Sequence, residues 1–76
     1  MFQEHSQVVL TCALPKLALE PGDVGVVVHV HGQGTAYEVE FLAIDGHTIG
    51  VETLVAADLR AASATAVPHE RERVSA

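Results

Sequence analysis

The chain has 76 residues, ten acidic against four basic, a formal charge of −6 and a single cysteine, Cys12. That length makes one domain with a small core, and one thiol excludes both an internal disulfide and a zinc site built on several thiolates. The acidic balance opposes binding to a phosphate backbone, which needs clustered Lys and Arg. No run approaches about 18 apolar residues, so no membrane-spanning helix is expected. The opening MFQEHSQ has neither the basic nor the apolar region of a secretory leader, so a cytoplasmic location is the expectation.

In chain order, residues 1–6 read as a frayed N-terminus. Residues 7–14, QVVLTCAL, read as a first strand, with Val8, Leu10 and Cys12 on one face and Val9 and Thr11 on the other. Cys12 is then a packed small hydrophobe rather than a reactive thiol, since nothing near it in sequence would lower its pKa. Pro15 ends the strand. KLALE is too short to stand as a helix and reads as a loop that packs Leu17 or Leu19 against the barrel end.

Pro21-Gly22-Asp23 makes a turn, because Pro presets φ and Gly accepts positive φ. Residues 24–31 are dense in β-branched side chains and suit a strand. After the loop Gly32-Gln33-Gly34-Thr35, residues 36–43 alternate: Tyr37, Val39 and Phe41 face a core, and Glu38 and Glu40 face water. A four-residue loop closed by His31 and Ala36 sets Val30 against Tyr37, Val28 against Val39 and Val26 against Phe41. The outer face then pairs His29 with Glu38 and Val27 with Glu40.

Asp45-Gly46 marks the next turn. A two-residue loop would set Glu52 against Val39 and mix the faces. A three-residue loop with Gly46 in the left-handed region sets Phe41 against Ile49 and Val39 against Val51. The second is expected, and it places Glu38 opposite Glu52. Gly50 within residues 47–54 marks a bulge or bend. Ala56-Ala57-Asp58 reads as a short 3₁₀ turn, and Leu59 begins a last short strand beside the first. From residue 61 to residue 76 periodicity stops, Pro68 intervenes and charge alternates in HERER, which reads as a flexible, solubilising tail. The folded part is thus residues 7–60. Its short strands and turn signals specify an all-β fold, a small SH3-like five-stranded partly open barrel; a barrel of the oligonucleotide-binding type, which needs a longer chain, is the alternative.

The blocks GDVGVVVHV, AYEVEF and DGHTIGVETLVAADLR resemble those of a family of short bacterial proteins of unknown function (DUF4926-like), over residues 8–60. The resemblance implies an SH3-like barrel and carries no catalytic residues to transfer. GDVGVVV is also similar to the turn-strand of KOW segments in ribosome- and polymerase-associated proteins, which are usually basic, unlike this chain.

No nucleophile or phosphate loop stands out. Ser6, Ser63 and Ser75 lie near the ends, and GQGT lacks the Lys and helix of a phosphate-binding loop. The only aromatics are Phe2, Tyr37 and Phe41, too few for a Pro-rich peptide groove or for stacking single strands. The expected function is therefore non-enzymatic: a module that binds a protein partner through an acidic sheet face of Glu38, Glu40 and Glu52, with His29 beside it. No cofactor is expected. Two alternatives stand beside it: a KOW-like nucleic-acid or ribosome-associated module, and a metal-responsive module in which His29 and His31, two apart on one strand face, grip an ion. An open barrel also leaves edge strands through which copies can associate.

Overall fold

A computed structural model describes residues 1–73. Five strands follow the expected order: β1 (Gln7–Leu10), β2 (Val24–His31), β3 (Ala36–Leu42), β4 (Thr48–Leu54) and β5 (Leu59–Ala61). Single 3₁₀ turns span Pro15–Leu17 and Ala56–Asp58. The strands form one antiparallel sheet in the order β4-β3-β2-β1-β5. The sheet curls but does not close, giving the all-β, partly open five-stranded barrel that the sequence specifies.

The inner face buries Val8, Leu10, Leu19, Val27, Tyr37, Val39, Phe41, Leu54 and Leu59 around one centre. Gly25 sits opposite Val8 on that face and leaves the room that Val39 and Phe41 fill. Of the two loop leucines, Leu19 joins the core and Leu17 packs against its margin. A Cβ at Gly50 would lie 2.8 Å from a Leu17 methyl, so Gly50 lets that loop lie against the inner side of β4.

Both hairpin loops form as expected, yet both registers change partway along the strands. In β2–β3, His31 pairs with Ala36, Val30 with Tyr37 and His29 with Glu38. Val28 is then an extra residue, and the pairing resumes with Val27 opposite Val39 and Val26 opposite Glu40. The expected Val28–Val39 and Val26–Phe41 pairs are therefore replaced. In β3–β4, the loop 44–46 is closed by Ala43 and His47, whose backbone bond is 2.9 Å, and Gly46 has φ 92°. Leu42 pairs with Thr48, Ile49 is the extra residue, and Phe41 faces Gly50 rather than Ile49. A bulge bends its strand and increases twist, so one on each hairpin helps to curl a short sheet into a barrel.

β1 is shorter than the expected residues 7–14. After Leu10 the chain turns to the second 3₁₀ turn: the Thr11 amide donates to Asp58 O and its hydroxyl to Ala57 O, each at 2.9 Å. Cys12 is half-buried there. Burial pushes its thiol pKa up and the neighbouring Asp58 carboxylate adds to the rise, the opposite of what a reactive thiolate requires.

The ends lie against the barrel. Residues 1–6, read as frayed, continue the line of β1: the His5 amide donates to Val27 O and the Val27 amide to Ser6 O. The Phe2 ring meets Tyr37 edge-on at 5.2 Å between centroids, and the Phe2 amide donates to the Tyr37 hydroxyl. At the other end, Ala61 belongs to β5. Residues 62–73 carry no strand or helix but return to the barrel through Arg71 and Arg73. The last three residues of the expected tail, 74–76, lie outside the described residues.

Candidate functional site

The outer face of β2, β3 and β4 collects two of the three candidate acidic side chains, Glu38 and Glu40. Strand alternation puts Glu38 and Glu40 of β3 two residues apart on this face. Each is held by a threonine of β4: Thr53 Oγ1 donates to Glu38 Oε2 and Thr48 Oγ1 to Glu40 Oε2, both at 2.7 Å. Glu38 Oε2 also accepts from His31 Nε2 at 2.6 Å. The hydrogen bonds from His31 and then Thr53 hold the Glu38 carboxyl below the usual range, so it is charged at neutral pH.

Glu52 does not join them. The Ile49 bulge puts it opposite Val39 and Thr53 opposite Glu38, and residues paired across antiparallel strands share a face. Glu52 therefore lies on the core side of edge strand β4, half-exposed because the barrel is open there. The expected Glu38–Glu52 juxtaposition is replaced by a Glu38–Thr53 hydrogen bond, which removes a like-charge clash.

His29 faces Glu38 in register, but its Nδ1 lies 3.8 Å from Glu4 Oε2 and the close partner of Glu38 is His31, on the diagonal. Diagonal neighbours across an antiparallel pair are within reach of long side chains, so HVHGQGTAYE contained this pairing as well as the direct one. Glu4, Thr48 and Thr53 carried no comparable signal, because each depends on the N-terminus docking or on the bulge. The His29 and His31 rings meet edge-on at 4.7 Å. Among the described residues, no three His, Cys, Asp or Glu side chains converge as a metal set.

A second charged cluster joins distant parts of the chain. Arg71 grips Asp23 with two nitrogens, Nε to Oδ1 at 3.0 Å and Nη2 to Oδ2. Nη2 also donates to Ala18 O at 3.3 Å, and Nη1 lies 3.4 Å from Glu20 Oε2. The two gripping side chains are only 24% and 19% exposed, so this pair is less screened than an ordinary surface pair. Burial alone would raise the Asp23 pKa, but the Arg71 hydrogen bond and the Glu20 amide outweigh it and bring the carboxyl below its usual value.

The pH dependence follows from that direction. A depressed carboxylate pKa contributes stability that is complete above the unfolded value, about 3.9, and is lost as pH falls through the lower folded value. Asp23 is faced by Arg71 and the Glu20 amide, with the Glu20 carboxylate beside Arg71. The Arg71 Nε–H resonance should therefore stay dispersed from neutral pH to below 4 and collapse toward a free-arginine position on further acidification. Asp23→Asn should show the collapsed position throughout. A resonance that is insensitive to both changes contradicts the pair.

Among the described residues, no helix is long and apolar enough to cross a membrane. No curated protein and no solved structure matches the chain. The family model described as Domain of unknown function (DUF4926) matches residues 4–61. That span runs from the Glu4 carboxylate beside His29, through all five strands, to the end of β5, and it stops short of Arg71. The chain belongs to that family.

Proposed function

We propose that this protein is a non-enzymatic interaction module that holds a basic protein partner on the outer face of β2, β3 and β4. Glu38 and Glu40 make the charged contacts, and His29 and His31 border them. The observation that carries this reading is the pair of carboxylates fixed side by side on one face by Thr53 and Thr48. Side chains already held in one conformation lose less freedom on binding. Val28 of β2, Leu42 of β3 and Val51 of β4 are exposed, and they add apolar area of the kind that interface cores use. Glu52, which the sequence grouped with this surface, is not part of the proposed contact.

The test compares affinity capture by the tagged protein, by Glu38→Lys/Glu40→Lys and by Glu52→Lys, each shown to be folded by its NMR spectrum. The proposal expects one partner that the double variant loses and Glu52→Lys keeps. A partner retained by the double variant, or lost equally by both, counts against this face.

A further inference from the structure

We propose that residues 17–23 form a socket for an arginine side chain, that Arg71 fills it in the resting chain, and that an extended arginine-bearing segment of a partner protein occupies it by displacing the tail. The socket lies apart from Glu38 and Glu40, and its test does not depend on them.

The socket is held in shape by contacts that do not involve Arg71. Leu14 and Leu19 exchange two backbone hydrogen bonds, and Leu19 is buried in the core, so the turn is fastened to the barrel. Ala18, with φ 55°, holds a left-handed conformation that costs a non-glycine residue energy. Its carbonyl is one of the arginine acceptors. The Glu20 amide donates to Asp23 Oδ2 at 2.8 Å and orients the carboxylate. Together Asp23, Ala18 O and Glu20 offer an acceptor to each of the three guanidinium nitrogens. The adjacent Leu17 carbonyl takes Arg73 Nε at 3.0 Å. The fork on Asp23 matches the planar guanidinium and not the point charge of lysine.

The resident segment is tied down lightly elsewhere. Past the Ala62 amide, which reaches Gln7 O at 3.4 Å, the hydrogen bonds of its backbone among the described residues stay within the tail itself: Ala66 to Ser63 O, Thr65 to Ser63 Oγ, and Glu72 O from Arg71. Residues 63–70 are exposed. The tail stands off the sheet and borders an open groove of about 830 Å³ whose barrel side includes Val9, Val24, Phe41 and Ile49. Releasing Arg71 and Arg73 therefore removes the tail wall of this groove and bares its partly apolar barrel side, with the arginine socket at one end. The occupant follows from these features: an extended chain that sets an arginine on Asp23 and lays apolar side chains along the barrel side, which the resident tail does not do, its Val67 being 85% exposed.

The experiment titrates a fluorescein-labelled peptide, AVPHERER (residues 66–73), into two full-length proteins and reads anisotropy. One protein is unaltered; the other carries Arg71→Glu and Arg73→Glu, which repel its own tail from the socket. Both should give the same core NMR spectrum. The expected result is binding at least roughly tenfold tighter to the variant, and roughly tenfold weaker when both peptide arginines are lysines, since the bidentate bond is lost. Adding Asp23→Asn should remove the preference for arginine. Equal affinity for both proteins, equal affinity for the lysine peptide, indifference to Asp23→Asn or no binding at all would each overturn the proposal. A dimer of the unaltered chain that disappears with Arg71→Glu would assign the socket to a second copy and overturn the partner assignment.

Discussion

Replacing Phe41 by Ala lowers stability by about 3–5 kcal/mol, the usual cost of removing a buried phenylalanine. Phe41 is 1% exposed and is one of the largest fully buried side chains, beside Tyr37 and Leu10. Its neighbours cannot close the gap cheaply. Val39 is on the same strand, and Gly25 and Gly50 have no side chains to move into it. A domain of this length has a total stability of roughly 4–11 kcal/mol, taking about 0.05–0.15 kcal/mol per residue. The substitution therefore removes about a quarter or more of what holds the fold. With a urea slope of about 1 kcal/mol/M, the unfolding midpoint falls by about 3 M or the protein is unfolded at the outset. A loss below about 1 kcal/mol would mean that this ring does not centre the core, since even minor core truncations cost that much.

Gly25→Ala is the second large effect, and it acts through overpacking. An added Cβ would lie 2.6 Å from Val39 Cγ1 and 2.8 Å from Phe41 Cε1. β2 is paired on both sides, with β1 and with β3, so its backbone is not free to retreat. Ala also restricts the unfolded chain more than Gly does, which stabilises by about 0.4–1 kcal/mol where the site has room. Here steric cost wins, and overpacking of this kind typically loses about 1–3 kcal/mol. The diagnostic is coupling. In a Val39→Ala background the clash with Cγ1 is gone, so Gly25→Ala should cost less there than in the unaltered chain. Equal costs in the two backgrounds would contradict the packing described.

The sequence carried the strand order because each strand has its own signal. Turn chemistry at Pro21-Gly22 and Gly32–Thr35, and the left-handed Gly46, set the loops. Alternation in AYEVEF set the faces of β3. Phase was lost where the pattern had none to offer. Val26, Val27 and Val28 are all apolar, so alternation cannot say which one is extra, and the structure makes it Val28. Ile49 in β4 is also apolar, and slipping there moved Glu52 to the core side. The expectation kept carboxylates off that side, as a closed barrel would require, but an open edge keeps such a group half-exposed. Arg71 and Asp23 are 48 residues apart, and no local pattern connects them. The candidate site was thus half legible: Glu38, Glu40 and His29 follow from period two, whereas Glu52 and the arginine pair depend on a bulge and on a long-range contact.

The antiparallel pairing of β1 with β5 has a mechanical meaning. Val8 lies opposite Ala61, so the two ends of the barrel leave the sheet side by side. Tension applied between them loads this pair as a zipper, one hydrogen bond at a time, and not in shear, where all the bonds resist together. Arg73 and then Arg71, beyond β5, are the tethers that feel a pull from that end before it reaches the strand pair. A protein wired in this way yields gradually to stretching, and it can be spliced into a loop of another protein without either host strand being forced apart.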